Sequence, residues 1–211
     1  MMKYTGRKIL AVLLMLCALL TAAGCRTDLT EAENTVQVYL MALSNFNLDA
    51  MKASLTEGTN EDMGIDTSVY QSEFVQTDVY KKSVDTMYKA LSKTVEFTIH
   101  SAEKQEDGSY LVDTTVKCAD VNQEAVDEFM QIRMDEYTQK HPEILEKTEL
   151  DQNNIGITVM AEAYGEFVQL QPKAERDIKI SVSGENDQWR IISDERNNDL
   201  KQWIKDMFGT Y

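Results

Sequence analysis

Hydrophobic and polar positions change period several times along the 211-residue chain, and each change marks an element. After a greasy N-terminal run, Val36, Tyr39, Leu40 and Leu43 recur at helical spacing. Thr30-Glu31-Ala32-Glu33 ahead of them fits a capping box. Asn47 and Asp49 cap a short second helix with Leu48, Met51 and Leu55. Residues 56–70 are polar with two glycines and read as a loop, long enough to act as a lid. A third helix is predicted from Ser72 to about Lys93, with Val84, Met87, Tyr88 and Leu91 on one face. The period then falls to two. Val95, Phe97 and Ile99 alternate with polar residues, as do Tyr110, Val112, Thr114, Val116 and Cys118, with Asp107-Gly108 marking the hairpin turn between them. A fourth helix starts near Asn122 with Ala125, Phe129 and Ile132 as its stripe and stops before Pro142. A fifth is predicted from about Gly156 to Leu170. A second hairpin pairs Ile178, Ile180 and Val182 with Trp189 and Ile191, and a closing helix carries Leu200, Trp203, Ile204 and Met207.

Three helices, a hairpin, two helices, a hairpin and a helix make an α+β fold. Helices pack on one face of a curved antiparallel β-sheet built from two hairpins. The other face carries Glu96, His100, Lys117 and Lys179, so no large apolar dimer patch is expected there.

The first 25 residues change the picture of location. Lys3, Arg7 and Lys8 precede the apolar run Ile9–Leu20, and Thr21-Ala22-Ala23-Gly24 follows it. That is the layout of a secretory signal peptide, and twelve apolar residues fall short of the ~20 that span a bilayer. An uncleaved anchor reaching to Cys25 is the weaker reading, and both place the domain outside the cytoplasm. Ala22-Ala23-Gly24-Cys25 resembles the bacterial lipobox, with Ala22 where leucine is usual. The resemblance implies that Cys25 is acylated and becomes the first mature residue. Residues 1–24 are then the signal, 25–29 a short tether with lipidated Cys25, and 30–211 one α+β domain. The expected location is extracytoplasmic, anchored to the bacterial membrane by lipid at Cys25, because two acyl chains suffice for stable anchoring.

Composition narrows the partners. The signal takes away three of the 21 basic residues and none of the 36 acidic ones, so the remainder is more acidic than the chain's −15. No basic cluster suits nucleic acid. With Cys17 in the signal and Cys25 acylated, Cys118 is the remaining thiol, without a disulfide framework or a CxxC zinc pattern.

Two segments, Thr35–Leu55 ("TVQVYLMALSNFNLDAMKASL") and Gly184–Glu195 ("GENDQWRIISDE"), resemble the nuclear-transport-factor-two-like superfamily, also called cystatin-like or SnoaL-like. Among its members the match is to bacterial lipoproteins of unknown function that share this layout. The resemblance implies a cone whose mouth sometimes holds a small molecule; members include isomerases, dehydratases, dimeric adaptors and inert scaffolds. An isomerase or dehydratase would need a base and an oxyanion donor, drawn from His100, Asp113, Tyr88, Tyr110 and Tyr164. No spacing among these implies a dyad, and the alternation puts His100 and Asp113 on the solvated face. Asp151–Glu162 partly follows a calcium loop, but Ile155 and Val159 stand where ligands belong, which favours the start of a helix. Cys118 and Trp189 read as core residues. The expected function is therefore a non-catalytic lipoprotein that binds a small molecule, a peptide or an envelope protein, with no cofactor or metal. The alternative is a small-molecule isomerase or dehydratase in the same cone. A filled interior would favour the first reading; an open one lined with converging polar groups would favour the second.

Overall fold

The computed structural model describes residues 28–65, 78–185 and 188–208. The signal, Cys25, residues 66–70 of the polar loop and the predicted start of the third helix at 72–77 lie outside them.

Helix α1 covers residues 28–44. The Thr30–Glu33 box falls inside it rather than ahead of it, because Leu29 and Ala32 extend the apolar stripe backwards into the core. Phe46 then takes a left-handed conformation (φ 50°), strained for a bulky residue. Its buried ring, packed on Tyr88 at 5.2 Å and Phe208 at 5.7 Å between centroids, holds it there. Asn47 caps α2 (Leu48–Ala53), its side-chain oxygen accepting from the Ala50 amide at 3.1 Å.

Helix α3 (Asp78–Ser92) leads into β1 (Glu96–Lys104), which turns at Gly108 (φ 85°) into β2 (Tyr110–Ala119). A bulge between Ile99 and Ser101 leaves both His100 and Ser101 facing outward, so Ala102 takes up the inward phase. After α4 (Gln123–Lys140), a 3-10 turn at Pro142–Glu146 and α5 (Glu149–Leu170), the chain returns as β3 (Lys173–Glu185) and β4 (Gln188–Ile191). The sheet is antiparallel in the order β1-β2-β3-β4. Helix α5 begins seven residues before the predicted Gly156. Thr148 caps it, its hydroxyl bonded to the Asp151 carboxylate at 2.7 Å and facing the Asp151 amide at 3.2 Å. The candidate calcium loop is therefore helical and cannot wrap a cation. Two glycines inside α5 mark where it crosses its neighbours: a Cβ on Gly156 would meet Met134 of α4 at 3.6 Å, and one on Gly165 would meet Ala90 of α3 at 3.4 Å, both ordinary contacts.

Helix α6 (Asn198–Phe208) closes the body. Leu200, Trp203, Ile204, Met207 and Phe208 enter the same core as Val36, Tyr39, Leu40, Leu43, Val112, Ile178, Ile180 and Ile191. Where β4 leaves β3, the buried Asn197 side chain takes over the ladder. Its oxygen accepts from the Ser181 amide at 2.7 Å, and its nitrogen donates to the Ser181 and Ile192 carbonyls at 2.9 and 2.6 Å. An exposed strand edge is thereby satisfied by a side chain.

Candidate functional site

The sheet separates the residues that a catalytic reading would need together. His100 and Asp113 lie on its outer face, Asp113 facing Lys179 at 3.6 Å. The three tyrosines lie on the core side. Tyr164 is fully buried, Tyr88 packs with Phe46 and Phe208, and the Tyr110 ring lies tilted against Trp189, 5.0 Å between centroids. On the outer face the Thr115 hydroxyl donates to Asp177 at 2.6 Å, and the His100 Nε2 lies 2.7 Å from the same oxygen. Thr115 has one proton and spends it on the carboxylate, so the ring must donate in the second contact. This histidine therefore does not activate Thr115 as a nucleophile. The rest of that face carries the Lys173–Glu96, Lys117–Glu175 and Lys179–Asp113 pairs, all at least partly exposed.

The interior is filled. Val112 and Ile180 are fully buried, and Phe97 and Trp189 are partly buried against the same core cluster. Gly184 lets the indole of Trp189 lie across the strand, since a Cβ there would meet the ring at 2.7 Å. Cys118 is buried beside Trp203, and burial pushes its thiol up. It borders a shallow cleft of about 220 Å³ with the Arg176–Asp206 pair, without a histidine partner there. Among the described residues no group of three or more His, Cys, Asp or Glu is placed to hold a metal ion, and no helix is long and apolar enough to cross a membrane.

One cleft lies at the end of the sheet where both hairpins turn; another, of about 520 Å³, lies between Glu61–Gly64 and the start of α6. The first, of about 620 Å³, is lined by Thr56 and Glu57, by Asp107, Gly108 and Ser109 of the first turn, by Ser183, Gly184, Gln188 and Arg190 of the second hairpin, and by Ile192–Asp194 and Arg196. One wall forms because residues 54–56 lie along the outer edge of β4. Leu55 makes a parallel bridge to Ile191, and the Thr56 amide donates to the Ile191 carbonyl at 2.9 Å. The opposite wall is a clamp. Arg196 binds both oxygens of Asp194, at 2.6 and 3.0 Å, and reaches across the end of β3 to Asp107 at 3.3 Å. The Arg196 guanidinium and amide hold the Asp194 carboxyl down to about 2. The Ser109 hydroxyl and amide, followed by Arg196, lower Asp107. Carboxylates this acidic are poor general bases at neutral pH. Arg190 is different: its Nη1 approaches only the Leu55 carbonyl, at 3.4 Å, and it pairs with no carboxylate among the described residues. The arrangement offers hydrogen-bond donors and acceptors and, among the described residues, a guanidinium without a carboxylate partner.

Sequence reasoning saw the two turns as turns and missed the cleft. Its residues come from three segments far apart in the chain, 56–57, 107–109 and 183–196, and none carries a motif.

A solved structure shares this fold. It is that of a Bacillus subtilis protein described as a lipoprotein, ycdA, with a TM-score of 0.51 and 16% identity over 82% of this chain. The match covers 55% of that protein, so the chain spans about half its length. No protein-family model and no curated protein matches the chain.

Proposed function

We propose that this chain is an extracytoplasmic lipoprotein, held to a bacterial membrane by acyl chains on Cys25, that binds a polar ligand or an envelope protein through the cleft between its hairpin turns. The polar groups that converge at the hairpin turns carry the binding part of this reading. Among the described residues Val112 and Ile180 are fully buried in the core, and Phe97 and Trp189 pack against the same cluster. Ala22-Ala23-Gly24-Cys25 supports the anchor, and the fold shared with a protein described as a lipoprotein agrees with it. The order of elements also supports reading residues 30–211 as one domain, a filled member of the nuclear-transport-factor-two-like cones.

Labelling cells with a palmitate analogue tests the anchor: label and membrane fractionation should both be lost in Cys25→Ala. A photo-crosslinking residue at Gln188 tests the cleft. A discrete adduct that Arg190→Glu abolishes is expected, whereas adducts formed only from position 120, at the far end of the sheet, would move the site elsewhere.

A further inference from the structure

We propose that the cleft end of the sheet is the surface this protein turns to the bilayer, and that the group occupying it is a zwitterionic phospholipid headgroup. The proposal rests on the anchoring reading above and extends it from attachment to orientation. Asp28 Oδ2 accepts a hydrogen bond from the Tyr110 hydroxyl at 3.1 Å, and Tyr110 is the first residue of β2, directly after the Asp107-Gly108 turn. Cys25 precedes Asp28 by three residues, which reach about 11 Å when fully extended. An acylated Cys25 therefore keeps Asp28, Tyr110 and that turn near the headgroups.

The rest of the chain leads away from this point. Helix α1 starts at Asp28 and rises about 25 Å over its length. It delivers Phe46 to Tyr88 and Phe208, and the neighbouring Met207 lies beside Cys118 and Ala119 at the far end of β2. β2 itself places Ala119 about 30 Å from Tyr110. One end of the sheet is tied to the anchor, and it is the end with the cleft.

The chemistry of that end fits a headgroup bearing both charges. Arg190, the cation without a carboxylate among the described residues, suits a phosphodiester, which guanidinium binds through paired hydrogen bonds. Glu57, at the same rim, suits an ammonium. A strongly anionic bilayer would instead repel so acidic a chain.

The test uses acylated protein in vesicles, with Cys118→Ala removing the other thiol. Fluorophores are placed on Glu106→Cys, in the first turn, and separately on Asp120→Cys, at the opposite end. Lipids carrying a quencher on the headgroup should quench position 106 several-fold more than position 120 in zwitterionic vesicles, and adding anionic lipid should narrow the gap. Arg190→Glu should narrow it too. Equal or reversed quenching overturns the orientation, and a gap that Arg190→Glu leaves intact overturns headgroup binding. If the acylated protein does not float with vesicles, the anchoring reading falls and takes this proposal with it; flotation with equal quenching removes this proposal alone.

Discussion

Helices α1 and α5 are of similar length, yet they join the molecule on different terms. In α1 the stripe Val36, Tyr39, Leu40 and Leu43 is wholly buried under the sheet and α6. Helix α5 buries nothing before Val159, and its partner α4 buries only Val126. Near the turn that joins them, Leu145 and Leu150 are 68% and 61% exposed. From Val159 onward α5 joins the core through Tyr164, Phe167 and Val168, but what holds the outer end of the hairpin is local. It has caps at Asn122 and Thr148, the pairs Gln123–Asp127, Gln131–Asp135 and Arg133–Glu136, an Arg133 bond to Glu166 across the two helices, and Arg133 over the Phe129 ring. Such contacts are worth a few tenths of a kcal/mol each, whereas burial of one large side chain is worth several times that. The body, with the second half of α5, is stabilised by what its helices cover, and the outer end of the hairpin by what its helices do to themselves.

Substitutions can break that contrast. Leu40→Ala in α1 should cost about 2–5 kcal/mol, seen as a lower denaturant midpoint for the whole chain. Asn197→Ala strands the Ser181 amide and the Ile192 carbonyl, while the Ser181 carbonyl keeps the Ile192 amide, and should cost about 2–4 kcal/mol, again globally. Thr148→Ala should cost about 1 kcal/mol, and hydrogen exchange should place the effect in the first turns of α5 while α1 stays protected. Leu145→Ala should change stability by less than about 0.5 kcal/mol. A cost at Leu145 approaching that at Leu40 would show the outer end of the hairpin to be part of the core after all. The smallest effect is electrostatic. Asp194 is lowered from the ordinary 3.8 to about 2, so its contribution is complete above pH 4 and is lost as pH falls through 2. Its clamp is half exposed and screened, so acid titration of Asp194→Asn should differ only slightly from the parent, and only in that window.

The same contrast decides what could be read from the residues. The α1 stripe, the alternation in β2 and the closing helix were legible because burial on one face writes a period into the sequence. Helix α5 was placed late because its first turns bury little and so carry no stripe, and because Gly156 marks a crossing with Met134 rather than a boundary. His100 was placed correctly on the outer face, but the bulge that puts Ser101 beside it has no local signal. Asn197 resembles any polar residue ahead of a helix until the edge of β3 is seen to need it. The cleft was illegible for a related reason: it exists only once three distant segments meet, and Arg190 stands out only because it pairs with no carboxylate among the described residues.

Asn197 also gives the protein a way to age. Hydrolysis of its side-chain amide would turn one donor nitrogen into a carboxylate oxygen of nearly the same shape. That oxygen would face the Ser181 and Ile192 carbonyls, two acceptors that now share its hydrogens. Nothing in the outline of the side chain would change, yet attraction at the sheet edge would become repulsion. A gain of one mass unit at this buried position would therefore count as damage to the fold, where the same gain at an exposed asparagine would pass unnoticed.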